Sequence, residues 1–146
     1  MKRIIMGCDH AAYHLKEKVK TLLEEKGHTV EDKGCHSTES VDYPDYARAV
    51  GAEVAGDENA LGILICGTGI GISIAANKMK GIRAALCHTE FEARMCRNHN
   101  NANVLCLGAR VIGQDLAFSV VDAYLEASFE GGRHGRRVDK MMALEG

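Results

Sequence analysis

Residues 61–78, LGILICGTGIGISIAANK, constrain the fold more than any other part of the chain. Ile63-Leu64-Ile65-Cys66 is an apolar run of strand length, rich in β-branched residues, and reads as a buried strand. Gly67, Gly69 and Gly71 follow within five residues, and residues 72–76 resume as an apolar run of helical character. Strand, glycine-rich turn and helix in direct succession aim backbone N–H groups and a helix N-terminus at an anion. The same succession can also serve only as a tight turn with close packing. In either case Cys66 takes the last strand position, facing the same space.

The flanking sequence repeats the alternation. Ile4-Ile5-Met6 is a short strand ending at Gly7-Cys8-Asp9-His10. Leu15, Val19, Leu22 and Leu23 then recur at helical spacing, with Lys16, Glu17, Lys20, Glu24 and Glu25 on other faces and Gly27 as the stop. Residues 28–32 form a second strand and 34–40 a polar loop. Pro44, the only proline, suits the first turn of a helix capped by Asp42, with Tyr46, Ala47, Val50 and Val54 as its apolar stripe. Residues 82–87 read as another short strand. Thr89 with Glu92 three positions later is a capping box for a helix running toward Asn98. Residues 103–107 are a fifth strand; Leu116, Val120, Val121, Tyr124 and Leu125 mark a long helix. Gly131-Gly132 interrupts the chain before a terminal helix over 133–144. Strands alternating with helices predict an α/β fold of parallel βαβ units, whose ligands sit outside the carboxyl ends of the strands. Those ends carry Cys8-Asp9-His10, residues 66–71, Cys87-His88 and residues 108–110.

A chain of 146 residues with 46% hydrophobic and 26% charged residues suits one domain over 1–146 with a real core. A net charge of −2 argues against a general nucleic-acid binder. No apolar run is long enough to span a bilayer, and Met1-Lys2-Arg3 leads directly into a strand rather than a signal peptide. The six cysteines include no CxxC pair, so they read as reduced thiols of a cytoplasmic protein, without a zinc framework.

The glycine loop is not a P-loop, and Ile74 stands where a dinucleotide fingerprint needs its third glycine. It can instead cradle an oxyanion. A cysteine at a strand end beside a helix N-terminus is biased toward thiolate, although a buried cysteine is often only a small hydrophobe. A thiolate beside N–H donors can act as general base on a carbon acid while the donors hold the enediolate. His99, in Arg97-Asn98-His99-Asn100-Asn101, precedes a strand whose end should approach the same edge; it reads as an acid/base group or as a solvated loop histidine. His10 follows Asp9 at the end of the first strand, where a helix start could bind phosphate; it could equally be an exposed loop histidine. In Arg133-His134-Gly135-Arg136-Arg137, Arg133 and Arg137 share a helix face and make either a phosphate clamp or a solvated basic face. No pair of residues has the usual metal-ligand spacing.

These pieces resemble the B-type ribose-5-phosphate isomerase family, which also contains galactose- and allose-6-phosphate isomerases. The matching segments are Cys8-Asp9-His10-Ala11, Tyr43-Pro44-Asp45-Tyr46, Cys66-Gly67-Thr68-Gly69-Ile70-Gly71, Gly81-Ile82-Arg83-Ala84-Ala85, His99-Asn100, Asn103-Val104-Leu105, Gly108-Ala109-Arg110, and Arg133 with Arg137. The resemblance implies a three-layer α/β/α Rossmann-like fold with a five-stranded parallel sheet. It also implies a homodimer or tetramer with shared active sites, no cofactor or metal, and interconversion of an aldose phosphate with its ketose. By position, Cys66 resembles the base between C1 and C2, and Thr68 with the amides of Gly67, Gly69, Ile70 and Gly71 resembles the enediolate and hydroxyl cradle. His99 resembles the ring-opening acid. Asp9 and Asn100 resemble hydroxyl ligands, Tyr43 a pocket wall, and His10, Arg110, Arg133 and Arg137 phosphate ligands. The tail over 131–146 is expected to join the dimer and the phosphate site. Ala12 stands where many relatives have glycine, and Asn101 where many have aspartate.

Other classes are distinguishable. A non-enzymatic sugar-phosphate sensor would keep the arginines but need neither Cys66 nor His99. A hydrolase or transferase using Cys66 as nucleophile would form a covalent adduct. Ribose 5-phosphate is the expected substrate and a six-carbon 6-phosphate the alternative, because pocket depth is not written in the sequence.

Overall fold

A computed structural model describes all of residues 1–146. Five strands form one parallel sheet: β1 (Arg3–Cys8), β2 (Thr29–Asp32), β3 (Ala60–Cys66), β4 (Ala84–Leu86) and β5 (Val104–Gly108), in the order β2-β1-β3-β5-β4. The helices are α1 (Tyr13–Glu25), α2 (Tyr43–Ala55), α3 (Ile70–Asn77), α4 (Glu90–Asn98), α5 (Gln114–Glu126) and α6 (Arg133–Ala143). Since β2 and β3 flank β1 on opposite sides, the chain reverses direction there and opens a crevice at the carboxyl ends of β1 and β3.

The period-2 alternation of the strands separates two apolar layers. Ile4, Met6, Ile63, Ile65, Leu105 and Leu107 pack with Val19 and Leu23 of α1, Ala93 and Cys96 of α4, and Val120, Val121 and Tyr124 of α5. Ile5, Leu64, Cys66, Val104 and Cys106 face the other way, onto Val50 and Val54 of α2 and Ile72 and Ala76 of α3. The result is the expected three-layer α/β/α arrangement, with Cys66 on the α2/α3 side.

Local chemistry sets the element ends. Thr89 caps α4, its Oγ1 accepting the Glu92 N–H at 3.1 Å, while Glu92 Oε1 accepts the His88 N–H at 3.1 Å. Gly27 ends α1 with a φ of 89°. Asp42 occupies the cap position of α2, but its side chain makes no capping bond, and Pro44 in the first turn carries that helix start.

Two expectations are corrected. β4 is three residues long instead of six, because it is an edge strand and Asn77 closes its free side, accepting from Ala84 N at 2.8 Å and donating to Ala84 O at 2.9 Å. Lys16 does not lie on a solvent face. It is fully buried, its ammonium 2.8 Å from Asp32 and donating to the Cys35 carbonyl at 2.6 Å. Burial opposes its charge, but the Asp32 carboxylate prevails and holds Lys16 above the usual lysine range.

Candidate active site

The corner around Cys66 follows from three strand ends. β3 delivers Cys66 at its last residue, where it pairs with Gly108 at the end of β5. Gly69 adopts a left-handed φ of 76°, which turns the chain sharply enough for α3 to begin at Ile70. That turn points the Gly69 N–H at Cys66 Sγ, 3.1 Å away. Thr68 is exposed, its Oγ1 accepting the Ile70 N–H at 3.2 Å, so its own hydroxyl proton remains available to donate. The ladder of α3 begins with Ser73 N donating to Gly69 O at 3.2 Å, which leaves the Gly71 N–H unused by the helix.

Neighbouring elements wall this corner. A Cβ built on Gly71 would lie 2.7 Å from Tyr43 Cζ, so the tyrosine ring at the start of α2 rests on the loop. A Cβ on Gly67 would lie 3.3 Å from Arg110 Nη1, which places that guanidinium over the first glycine. From β1, Asp9 is buried and accepts the Ala11 N–H at 3.1 Å. His10 accepts the Val41 N–H on Nδ1 at 3.1 Å, which puts the proton of the neutral ring on Nε2.

The remaining candidates lie elsewhere. α4 runs back from the carboxyl edge of β4 to the amino edge of β5, so His99, the residue after it, stands at the start of β5 and not near its end. Four residue steps along β5 at about 3.3 Å each separate the two edges by about 13 Å before any loop is counted. α6 belongs to the amino edge too. His134 stacks on His99, and Arg83, just before β4, donates to Met142 Sδ at 3.7 Å. Arg133 and Arg137 are exposed on that helix and make no ion pair within the chain. The expectation that His99 approaches the same edge as Cys66 is therefore corrected for a single chain. One edge holds Asp9, His10, Tyr43, Cys66, Gly67, Thr68, Gly69, Ile70, Gly71 and Arg110; the other holds His99, Asn100, Arg133 and Arg137.

The cavities agree with this division. The largest, about 640 Å³, lies at the amino edge between the end of α3, β4 and the end of α6, and reaches Asn100 but not Cys66. Cys66 itself is 5% exposed, with Thr68 and Ile70 beside it open to solvent. The sequence alone does not single out Glu130, and it presents His134 only within a basic cluster. Their i, i+4 spacing was the available signal. No helix is long and apolar enough to cross a membrane.

Comparison with known proteins agrees with the geometry. The family described as Ribose/Galactose Isomerase matches residues 4–141. Ribose-5-phosphate isomerase B of Escherichia coli K12 is 52% identical over 145 residues, covering 99% of this chain and 97% of the relative. D-erythrulose-4-phosphate isomerase of Pectobacterium atrosepticum is 45% identical over 142 residues, covering 97% and 93%. The solved structure of Clostridium thermocellum ribose-5-phosphate isomerase B superposes with a TM-score of 0.96 at 52% identity, over 98% of this chain and 97% of that one. The chain belongs to the ribose/galactose isomerase family and is a sugar-phosphate isomerase.

Proposed function

We propose that this chain interconverts ribose 5-phosphate and ribulose 5-phosphate in a site built by two copies of itself. The observation that carries the reading is the Cys66 corner, a sulfur held 3.1 Å from a backbone N–H at the start of α3, next to a glycine that the Arg110 guanidinium overlies. On the open-chain sugar the Cys66 thiolate takes the C2 proton, and the electron pair forms the C1–C2 double bond of an enediolate. The same sulfur returns the proton to C1 as the hydroxyl proton passes from O2 to O1 and the carbonyl forms at C2. Thr68 and the Gly71 N–H, which the helix leaves unused, face the oxygens that gain charge. Tyr43 walls the sugar, Asp9 binds a hydroxyl, and His10 and Arg110 take the phosphate.

His99 and Asn100 of a second copy supply the ring-opening acid and a hydroxyl ligand, and its Arg133 and Arg137 complete the phosphate clamp. In this arrangement residues 1–146 act as one isomerase unit whose tail serves its neighbour. Two features support the sharing. The amino-edge group lies too far from Cys66 within one chain, and apolar side chains around the corner are open to a partner: Tyr43 is 39% exposed, Ile70 52% and Val111 55%.

Turnover of erythrose 4-phosphate, ribose 5-phosphate, allose 6-phosphate and galactose 6-phosphate, with and without EDTA, tests the substrate. Fast, EDTA-resistant conversion of ribose 5-phosphate is the expected result. Preference for a four-carbon substrate, as the Pectobacterium relative's name describes, or for a six-carbon one would keep the chemistry and replace the substrate. No turnover of any would overturn the assignment.

A further inference from the structure

His99 is held by two residues with no role so far. Its imidazole lies flat against that of His134, with centroids 4.1 Å apart and planes within 6°. One oxygen of Glu130 faces both rings, 3.8 Å from His99 Nε2 and 3.6 Å from His134 Nε2. The Glu130 N–H donates to Asn98 O at 3.0 Å, which ties this carboxylate to the last turn of α4, the element that delivers His99. His134 is 8% exposed, at the second position of α6.

Two imidazoles and a carboxylate, with ligand atoms within 4.8 Å of one another, are also a donor set that a divalent transition metal accepts. The stack argues for a different use. In parallel rings the in-plane lone pairs run side by side instead of converging on one ion, and Arg133 and Arg137 add positive charge nearby. The arrangement suits a proton better than a cation.

We propose that Glu130 and His134 are positioning residues for ring opening. Glu130 balances the charge on His99 while its imidazole carries the proton, and the face of His134 fixes the His99 plane. This role rests on reading His99 as the ring-opening acid. In that step the C1–O4 bond of the furanose breaks with its electron pair going to O4, and O4 takes the proton from His99. The C1 hydroxyl loses its proton to solvent, from which the imidazole is recharged. Two stacked imidazolium rings would repel. Burial, then His99 and Arg133, hold His134 below the usual histidine range, so His134 stays the neutral member and the stack survives each proton transfer.

The chemistry of the sugars supplies a test. Ribulose 5-phosphate cannot close to a furanose because its C5 oxygen is esterified, so the reaction from the ketose needs no enzymatic ring opening. Rates from ribose 5-phosphate and from ribulose 5-phosphate are measured across a range of enzyme concentration for wild type and the variants His99→Asn, Glu130→Gln, His134→Ala and His134→Phe. With enzyme in excess, Glu130→Gln and His134→Ala should hold the reaction from ribose 5-phosphate about tenfold or more below wild type, its rate levelling off at the uncatalysed ring-opening rate. Their reaction from ribulose 5-phosphate should stay within about threefold of wild type. His134→Phe keeps the flat face without the nitrogens and should restore most of the rate lost in His134→Ala. At that enzyme excess, equal slowing of both directions by Glu130→Gln and His134→Ala, or slowing of neither, while His99→Asn slows the ribose direction alone, would overturn the positioning roles. If His99→Asn itself slows both directions equally or neither, the ring-opening assignment fails first and the positioning roles with it.

Discussion

The backbone N–H of Gly69 points at Cys66 Sγ from 3.1 Å, joining the end of β3 to the start of α3 through a single hydrogen bond. It also fixes the sulfur at the carboxyl end of β3, beside the exposed Thr68 and Ile70. Cys66→Ala should lower kcat by about a thousandfold, within the range for loss of a general base, and leave KM within a few-fold of wild type. Steady-state kinetics on ribose 5-phosphate measure both.

Gly69 makes that bond possible only because it has no side chain. Its φ is 76°, and a Cβ there would lie 2.5 Å from Leu86 Cδ1 and 2.8 Å from the Leu107 carbonyl carbon. Leu86 can move, but the β5 backbone cannot. Gly69→Ala should cost about 2 kcal/mol or more in stability, from left-handed strain and overpacking together. Chemical denaturation measures this, and activity should fall further than stability alone explains.

On α1, across the sheet from Cys66, Lys16 holds Asp32 and the Cys35 carbonyl. Lys16→Met leaves the Asp32 carboxylate largely buried, with only Lys20 at 3.4 Å, and should destabilise the fold by about 3 kcal/mol. Burial alone would push Asp32 up, yet the Lys16 ammonium and the Gly34 N–H hold it below the usual carboxylate range. A carboxyl whose folded pKa is lowered stabilises the fold above its unfolded pKa, about 3.9, and this is lost as pH falls toward the folded value. Thermal melts from pH 7 down to pH 3 should therefore show a shallower acid-side decline in Lys16→Met than in wild type.

Arg137 is exposed on α6 and has no carboxylate partner in its own chain. In the proposed two-copy site it would bind the phosphate, which does not react. Arg137→Ala should raise KM for ribose 5-phosphate about tenfold or more and change kcat less, the pattern for loss of uniform binding.

Much of this corner was legible in the sequence because its signals are local. The apolar run ending at Cys66 and the glycines after it sit within a few residues of what they determine. Lys16 misled because its charge suggested solvent, although it shares a helix face with Val19 and Leu23; its partner Asp32 lies on another element. β4 was read too long because the apolar pattern does not reveal an edge strand. His99 was assigned to the wrong edge because a residue preceding a parallel strand stands at its start, away from the carboxyl ends. The stack of His99 on His134 joins α4 to α6 across intervening elements, so only the Glu130–His134 half of that cluster had a spacing to read.

The shared site is tested most directly by mixing two proteins that are each impaired in converting ribose 5-phosphate. Cys66→Ala and His99→Asn each disable one edge, and in a mixed dimer one of the two sites carries both changes while the other carries neither. After denaturation and joint refolding of equal amounts, about half of the dimers are mixed, so about a quarter of wild-type activity should return in the ribose 5-phosphate to ribulose 5-phosphate direction. A mixture no more active than its parents, with subunit exchange verified by mass spectrometry, would contradict a site built from Cys66 of one copy and His99 of another.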